Sequence, residues 1–319
     1  MANRPRRSQN WSWGPNKRRA ATHFPSLWHD QGPESSMFIQ DVSSSVVPLW
    51  ARRGRDERFK ANISGTDVDR DRAIALLWSL GRDNRHDLEE FVAGAIREIA
   101  RHLSWYGRAL YEVGRANEDQ SVYLLSSFTS ARSLNLRWCW LQVVPTQDRE
   151  LWERSITILP SRDVWVVRVP KLLGGYRGYR SILRKLDRFG NSGPNFWRDD
   201  LGHGRPLPTY FNFMEYRREV EIFTTRITRK WGWNRRDFGD RNWTEFMQFF
   251  RTLTFHWAQA LLREHIVSEF NFLLVRLGIN AELSVSGLLS PGEILRIRDE
   301  MMEGKISFGK AFEAISASA

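Results

Sequence analysis

Between Trp243 and Leu277 the apolar residues recur at steps of three and four: Phe246, Phe250, Leu253, Trp257 and Leu261, then Ile266, Phe270, Leu273 and Leu277. A period near 3.6 sustained over that stretch predicts one helix of ~30 residues, ~45 Å long at 1.5 Å per residue. Such a helix is far longer than the ~11–12 residues usual in globular proteins, so the rest of the chain has to pack along much of its length. Downstream, Ala281 to Val285 reads as a short strand. Ser290-Pro291-Gly292-Glu293 then forms a capping box with proline at the first helical position. The helix it starts ends at Gly304, and Ser307 can cap a last short one.

Ahead of the long helix the pattern is mixed. Val68, Ala73, Leu76, Leu77 and Leu80 suit a short helix from Asp67 to Gly81, with Ser64-Gly65-Thr66 as its start signal. Leu88, Phe91, Val92, Ala95, Ile96, Ile99 and Leu103 form one apolar stripe on a second helix, from His86 to Tyr106, that Gly107 stops. Five stretches rich in β formers follow, 109–113, 122–128, 138–144, 155–159 and 164–169, and predict a small antiparallel subdomain. Pro170 and Gly174-Gly175 break it at a hinge. From Tyr176 to Phe189 a helix resumes, apolar through Tyr179, Ile182, Leu183 and Leu186 and cationic opposite through Arg177, Arg180, Arg184, Lys185 and Arg188. Residues 190–208, rich in glycine and proline, read as a loop. Thr209 to Thr228 fits strands or a strand and a helix, with Glu219 to Phe223 alternating as a half-buried strand does.

The fold class expected is therefore α+β, mainly helical, with a small antiparallel β subdomain, one long helix and a C-terminal helical pair. Four segments follow: an extended basic N-terminal arm, 1–66; a helix with the β subdomain and the basic helix, 67–189; a Gly/Pro-rich, basic connection, 190–241; and the long helix with the terminal pair, 242–319.

Composition narrows the function. With 319 residues, 41% of them hydrophobic, the chain can bury a core of about two domains. Its one cysteine, Cys139, has no partner for an intramolecular disulfide and reads as a small buried apolar residue. No run approaches the ~18 consecutive apolar residues of a membrane span, so a soluble, intracellular protein is expected. The formal net charge of +11 is concentrated in two places. Arg4, Arg6, Arg7, Lys17, Arg18 and Arg19 stand in the first twenty residues with no acid among them, and residues 176–241 hold fifteen basic against eight acidic side chains. Clustering of this kind is the footprint of a polyanion partner.

Two stretches mix aromatic rings with cations. NWSWGPNKRRAA places Trp11 and Trp13 beside a basic cluster, suited to gripping a neighbouring subunit or a nucleic acid. In RITRKWGWNRRDFGDR, Trp231, Trp233 and Phe238 alternate with Arg226, Arg229, Lys230, Arg235, Arg236 and Arg241. Cations there would neutralise phosphates while ring faces stack bases; alternatively the tryptophans pack in the core and the arginines pair with Asp237 and Asp240.

Catalytic and cofactor signatures are weak. There is no GxxxxGK[ST] loop, and Gly174-Gly175-Tyr176-Arg177-Gly178 lacks the context of a dinucleotide fingerprint. His256 and His265 lack HExxH, and Asp67, Asp69 and Asp71 lack the rest of a calcium loop. Neither a metal nor any other cofactor is expected. The one enzymatic alternative is a metal-dependent nuclease built from Glu219, Glu221 and Lys230.

The junction WYGRALYEV, Trp105 to Val113, and the run LPSRDVWVVRVPKLLGGYRGY, Leu159 to Tyr179, together resemble the central part of tailed-bacteriophage portal proteins. There a helix ends in an aromatic-Gly-x-aromatic turn, small sheets follow, and a hinge leads into a basic stem helix. The resemblance spans about Asp67 to Ala314. It implies a non-enzymatic ring, usually of twelve copies, at one vertex of a capsid made in the host cytoplasm, through which double-stranded DNA is packaged and ejected. The major capsid protein, a head-tail adaptor and the terminase would be its partners. In that setting Arg177, Arg180, Arg184 and Lys185 form the first DNA-facing or partner-facing row, and Trp11, Trp13 and Trp257 contact neighbouring copies. A monomeric or dimeric, sequence-nonspecific nucleic-acid-binding protein using Arg226 to Arg241 and the N-terminal arm is the main alternative.

Overall fold

In the computed structural model, residues 33–47, 59–80, 87–115, 122–128, 130, 133–143, 156–192, 213–235 and 244–316 are described below. In chain order their elements are α1 (Pro33–Ser44), β1 (Lys60–Gly65), α2 (Asp67–Trp78), α3 (Leu88–Tyr106), β2 (Arg108–Arg115), β3 (Tyr123–Phe128), β4 (Ser133–Asn135) and β5 (Cys139–Val143). Then come β6 (Ile156–Pro160), β7 (Val164–Arg168), α4 (Gly175–Ser192), α5 (Phe213–Ile227), α6 (Glu245–Arg276), β8 (Ala281–Ser286), α7 (Pro291–Met302) and α8 (Phe308–Ser316). The fold is α+β and mainly helical, with small antiparallel sheets, one long helix and a C-terminal helical pair.

The chain divides into two compact units. The first holds the described residues of Ser43–Val169 and Leu262–Leu288; the second holds those of His29–Val42, Pro170–Leu261 and Leu289–Ala319. Crossing occurs between Val169 and Pro170, where the sequence places its hinge, and again within α6, whose residues through Leu261 belong to the second unit.

In the first unit, α3 begins at an N-cap, Asp87, whose side chain accepts from the Glu89 amide, and ends at Gly107 in the left-handed region (φ 72°), whose amide donates to the Leu103 carbonyl. Gly107 leads directly into β2, the central strand of the sheet β3-β2-β7. A second three-stranded sheet, β4-β5-β6, packs Trp140 and Leu159 against Leu110, Phe128 and Val164 of the first. β1 pairs antiparallel with β8, Ile63 opposite Leu283, and the Asn271 side chain on α6 both donates to and accepts from the Leu283 backbone.

In the second unit the start of α6 carries the C-terminal pair. Leu253 packs with Ile297, Met301, Ala311 and Ile315, flanked by Phe246, Phe249, Phe250 and Phe308. Ser290 caps α7 reciprocally with Glu293, and the Ser307 hydroxyl accepts from the Lys310 amide at the start of α8.

Two expectations need correction. Within the supposed arm 1–66, residues 33–44 form α1 and 60–65 form β1. Phe38, Ile39 and Val42 of α1 are buried in the second unit's core, while Ala61 and Ile63 of β1 point inward in the first. Glu219 to Phe223 is helical, inside α5. Its buried face is Val220, Thr224 and Thr228, spaced by four, and each threonine hydroxyl donates to the carbonyl four residues earlier, at 2.8 and 2.7 Å. The five-residue alternation ends with Ile222 exposed, because the longer period decides which side is buried.

Candidate nucleic-acid interface

The cationic row lies on α4. Tyr179 and Leu186 are fully buried on one side, while Arg177, Arg184 and Lys185 are exposed. Residues 177 and 184 are separated by about two helical turns and so project from the same side. Arg180 differs from these three: it is half-buried, donates to the Tyr176 hydroxyl at 2.9 Å and lies 5.5 Å from the centre of that ring. α5 packs beside α4, exposing Arg218 and Arg226, and the turn after it exposes Arg229 and Lys230.

The tryptophans of the same turn have the opposite fate. Trp231 and Trp233 are 0% and 2% exposed. With Phe38 and Tyr179 they form an aromatic box: Phe38 stands 5.7 Å from Trp231, 5.2 Å from Trp233 and 5.8 Å from Tyr179. The Trp231 indole donates to the Leu173 carbonyl at 3.2 Å and the Trp233 indole to Asp41 at 2.8 Å. Burial also pushes the Tyr179 phenol well above its ordinary pKa. Of the two readings open for this segment, core packing of the tryptophans is the one observed, so neither ring offers a face to a base.

Arg251 on α6 clamps the turn from below. Its guanidinium donates to the Trp233 carbonyl, to Asn234 Oδ1 at 2.9 Å and to the Thr228 hydroxyl at 3.3 Å. Gly232, at φ +67°, lets the turn lie directly on α6, since a Cβ there would stand 2.4 Å from the Arg251 carbonyl oxygen. Arg235 is drawn inward and pairs with Glu34 of α1. The Asp187 carboxylate accepts from the Ser35 hydroxyl, a second polar tie to the same helix.

Five of the sequence-chosen cations, Arg177, Arg184, Lys185, Arg229 and Lys230, are thus exposed on one unit. Arg180 is tied to Tyr176, and Arg235, Trp231 and Trp233 are structural. Trp257 is half-buried on α6. Arg236, Trp11 and Trp13 lie outside the described residues. The nuclease constellation does not converge: Glu219 and Glu221, two apart on α5, point to nearly opposite sides, Glu219 exposed and Glu221 half-buried. His265 reaches the Arg168 carbonyl at 2.9 Å, and among the described residues no cluster of three His, Cys, Asp or Glu side chains could hold a metal ion. Among them, too, no helix is long and apolar enough to cross a membrane. The role of α1 was missed by sequence reasoning, although Pro33-Glu34 at a helix start and Phe38, Ile39 and Val42 at spacings of one and three carry the signal.

The sequence matches no protein-family model and no curated protein.

Proposed function

We propose that this chain is a portal-like structural protein, a closed homo-oligomeric ring at a phage capsid vertex that gives passage to double-stranded DNA. The observation that carries the reading is the row Arg177, Arg184 and Lys185, exposed on a helix entered directly from the Pro170–Gly175 junction, in the order the portal resemblance implies. A ring multiplies this modest charge per subunit into a strongly cationic surface around a polyanion, with no base-specific contact needed. Burial of Trp231 and Trp233 supports the same reading over single-strand stacking by this segment, because the side chains this turn exposes, Arg229 and Lys230, offer charge to a backbone and no ring face to a base. The virion would be its location, with capsid protein, adaptor and terminase as partners, the terminase supplying the energy.

The test is the native mass of the purified full chain, freed of nucleic acid, by light scattering or native mass spectrometry. A closed assembly of about ten or more subunits is expected, since rings of that size are unusual among simple DNA binders. A monomer or dimer that still binds DNA with a steep salt dependence would move the assignment to the nonspecific nucleic-acid-binding protein.

A further inference from the structure

Two tight turns from distant parts of the second unit lie side by side. In the first, the Leu173 amide donates to the Pro170 carbonyl at 3.0 Å and the Gly174 amide to the Lys171 carbonyl at 2.9 Å, so Lys171 and Leu172 form its tip. In the second, the amides of Trp231 and Gly232 donate to the Thr228 carbonyl at 2.9 and 3.0 Å, so Arg229 and Lys230 form the tip. Each tip is followed by a fully buried residue, Leu173 in one turn and Trp231 in the other. Those two residues are joined directly: the Trp231 indole donates to the Leu173 carbonyl at 3.2 Å, and its ring lies 5.3 Å from that of Tyr179 on α4. The contact holds Arg229 and Lys230 beside Lys171, and beside Arg177, which precedes Tyr179 by two residues.

All four cations are exposed. Among the described residues none of them forms an ion pair or a side-chain hydrogen bond, whereas Arg101, Arg235 and Lys305 pair with Glu98, Glu34 and Glu303. The neighbouring sequence supplies no compensation. From Val164 to Leu186 the chain carries six basic residues and no acid, and from Ile222 to Arg236 five basic residues and no acid. Like charges held together without a carboxylate repel one another, and an anion bound among them removes the repulsion.

The arrangement exists before any ligand arrives, because burial of Leu173 and Trp231 fixes the backbone of both tips. Its side chains suit phosphate: the two arginines present planar forks that match two phosphate oxygens at once, and the two lysines act as point charges. Arg177 also begins the α4 row, so the cluster prolongs that row past the start of the helix.

We propose that Lys171, Arg177, Arg229 and Lys230 together bind phosphodiester groups of a nucleic-acid backbone. The proposal rests on the DNA contact read above for α4 and adds to it a site assembled from two segments far apart in sequence. It is tested on the full chain by comparing Lys171→Gln/Arg229→Gln/Lys230→Gln with Arg184→Gln/Lys185→Gln and the wild type. Affinity for a random-sequence duplex is measured over a salt series, and thermal unfolding is followed with and without inorganic pyrophosphate. The triple variant is expected to bind duplex at least about tenfold more weakly, with a log-log salt slope smaller by up to ~0.9 for each phosphate no longer neutralised. Its unfolding midpoint without ligand should equal or exceed that of the wild type, because repulsion is relieved. Wild-type affinity and slope in the triple variant, with Arg184→Gln/Lys185→Gln losing both, overturn this proposal alone. If neither variant changes, it falls together with the DNA contact on α4. A lowered midpoint in the triple variant means that these cations serve the fold, and overturns it. Pyrophosphate that stabilises the wild type but not the triple variant, with duplex affinity unchanged, would assign the cluster to small phosphorylated ligands, and also overturns it.

Discussion

Gly232 and Arg251 show how much of the second unit depends on single residues. The turn from Thr228 to Asn234 brings two indoles into one core, and it reaches that position only because Gly232 lies against the backbone of α6. Gly232→Ala adds a methyl group 2.4 Å from a backbone oxygen and 2.8 Å from the Phe255 nitrogen, neither of which can move without displacing the helix. A loss of about 3 kcal/mol, from left-handed strain plus overpacking, is expected in denaturant unfolding. A wild-type midpoint in that variant would mean the turn does not pack on α6 as described. A second residue on the same helix sets a pH dependence. Burial holds His256 below its ordinary pKa of 6.5, so as pH falls the unfolded chain takes up this proton before the folded one does. Stability therefore declines from about pH 6.5 down through the lower folded-state pKa, and His256→Gln flattens that part of the profile. If stability between pH 7 and 5 is the same with and without the imidazole, the buried neutral form is not what the fold selects.

At the level of elements, caps account for much of what can be read in advance. Asp87 and Gly107 bound α3, and Ser290 with Glu293 starts α7; each is a residue type chosen for satisfying end groups of a helix. The Ser290 amide and hydroxyl both donate to the Glu293 carboxylate, at 2.7 and 2.8 Å, and hold its pKa below the ordinary 4.5. Ser290→Ala is expected to cost about 1 kcal/mol and to return the Glu293 carboxyl toward its ordinary pKa, which carboxylate NMR titration measures. An unshifted Glu293 titration would refute the reciprocal cap. Strands and long helices were legible for a similar reason: α6, β2, β5, β7 and the cationic face of α4 are each written in a local period or breaker. What could not be read depends on tertiary partners. α1 is held by Phe38 meeting Tyr179, Trp231 and Trp233, far away in sequence, and α5 imitates a strand for five residues until Thr224 and Thr228 reveal its four-residue step. In the candidate site, position in sequence singled out the cations as a group but could not separate Arg177 and Arg184, which face solvent, from Arg235, which pairs with Glu34. A basic residue beside a tryptophan looks the same whether the ring is buried or bare.

For the whole molecule, charge and assembly make separable demands. Arg177, Arg184 and Lys185 stand exposed on α4 of the second unit. Replacing the three cations by glutamine removes their charge from the phosphates without touching a buried side chain. DNA binding by that variant should weaken without regard to sequence, and the slope of log affinity against log salt should shrink by up to ~0.9 for each phosphate that a bound subunit no longer neutralises. Native mass should stay that of the wild type. Measured together, salt slope and mass separate loss of DNA contact from loss of assembly. If the cation variant instead fails to assemble, the α4 row joins subunits to one another and the DNA-binding surface must be sought elsewhere on the chain. If the cation variant keeps both mass and slope, α4 does not meet DNA, and the exposed Arg229 and Lys230 beside the buried tryptophans become the next residues to replace.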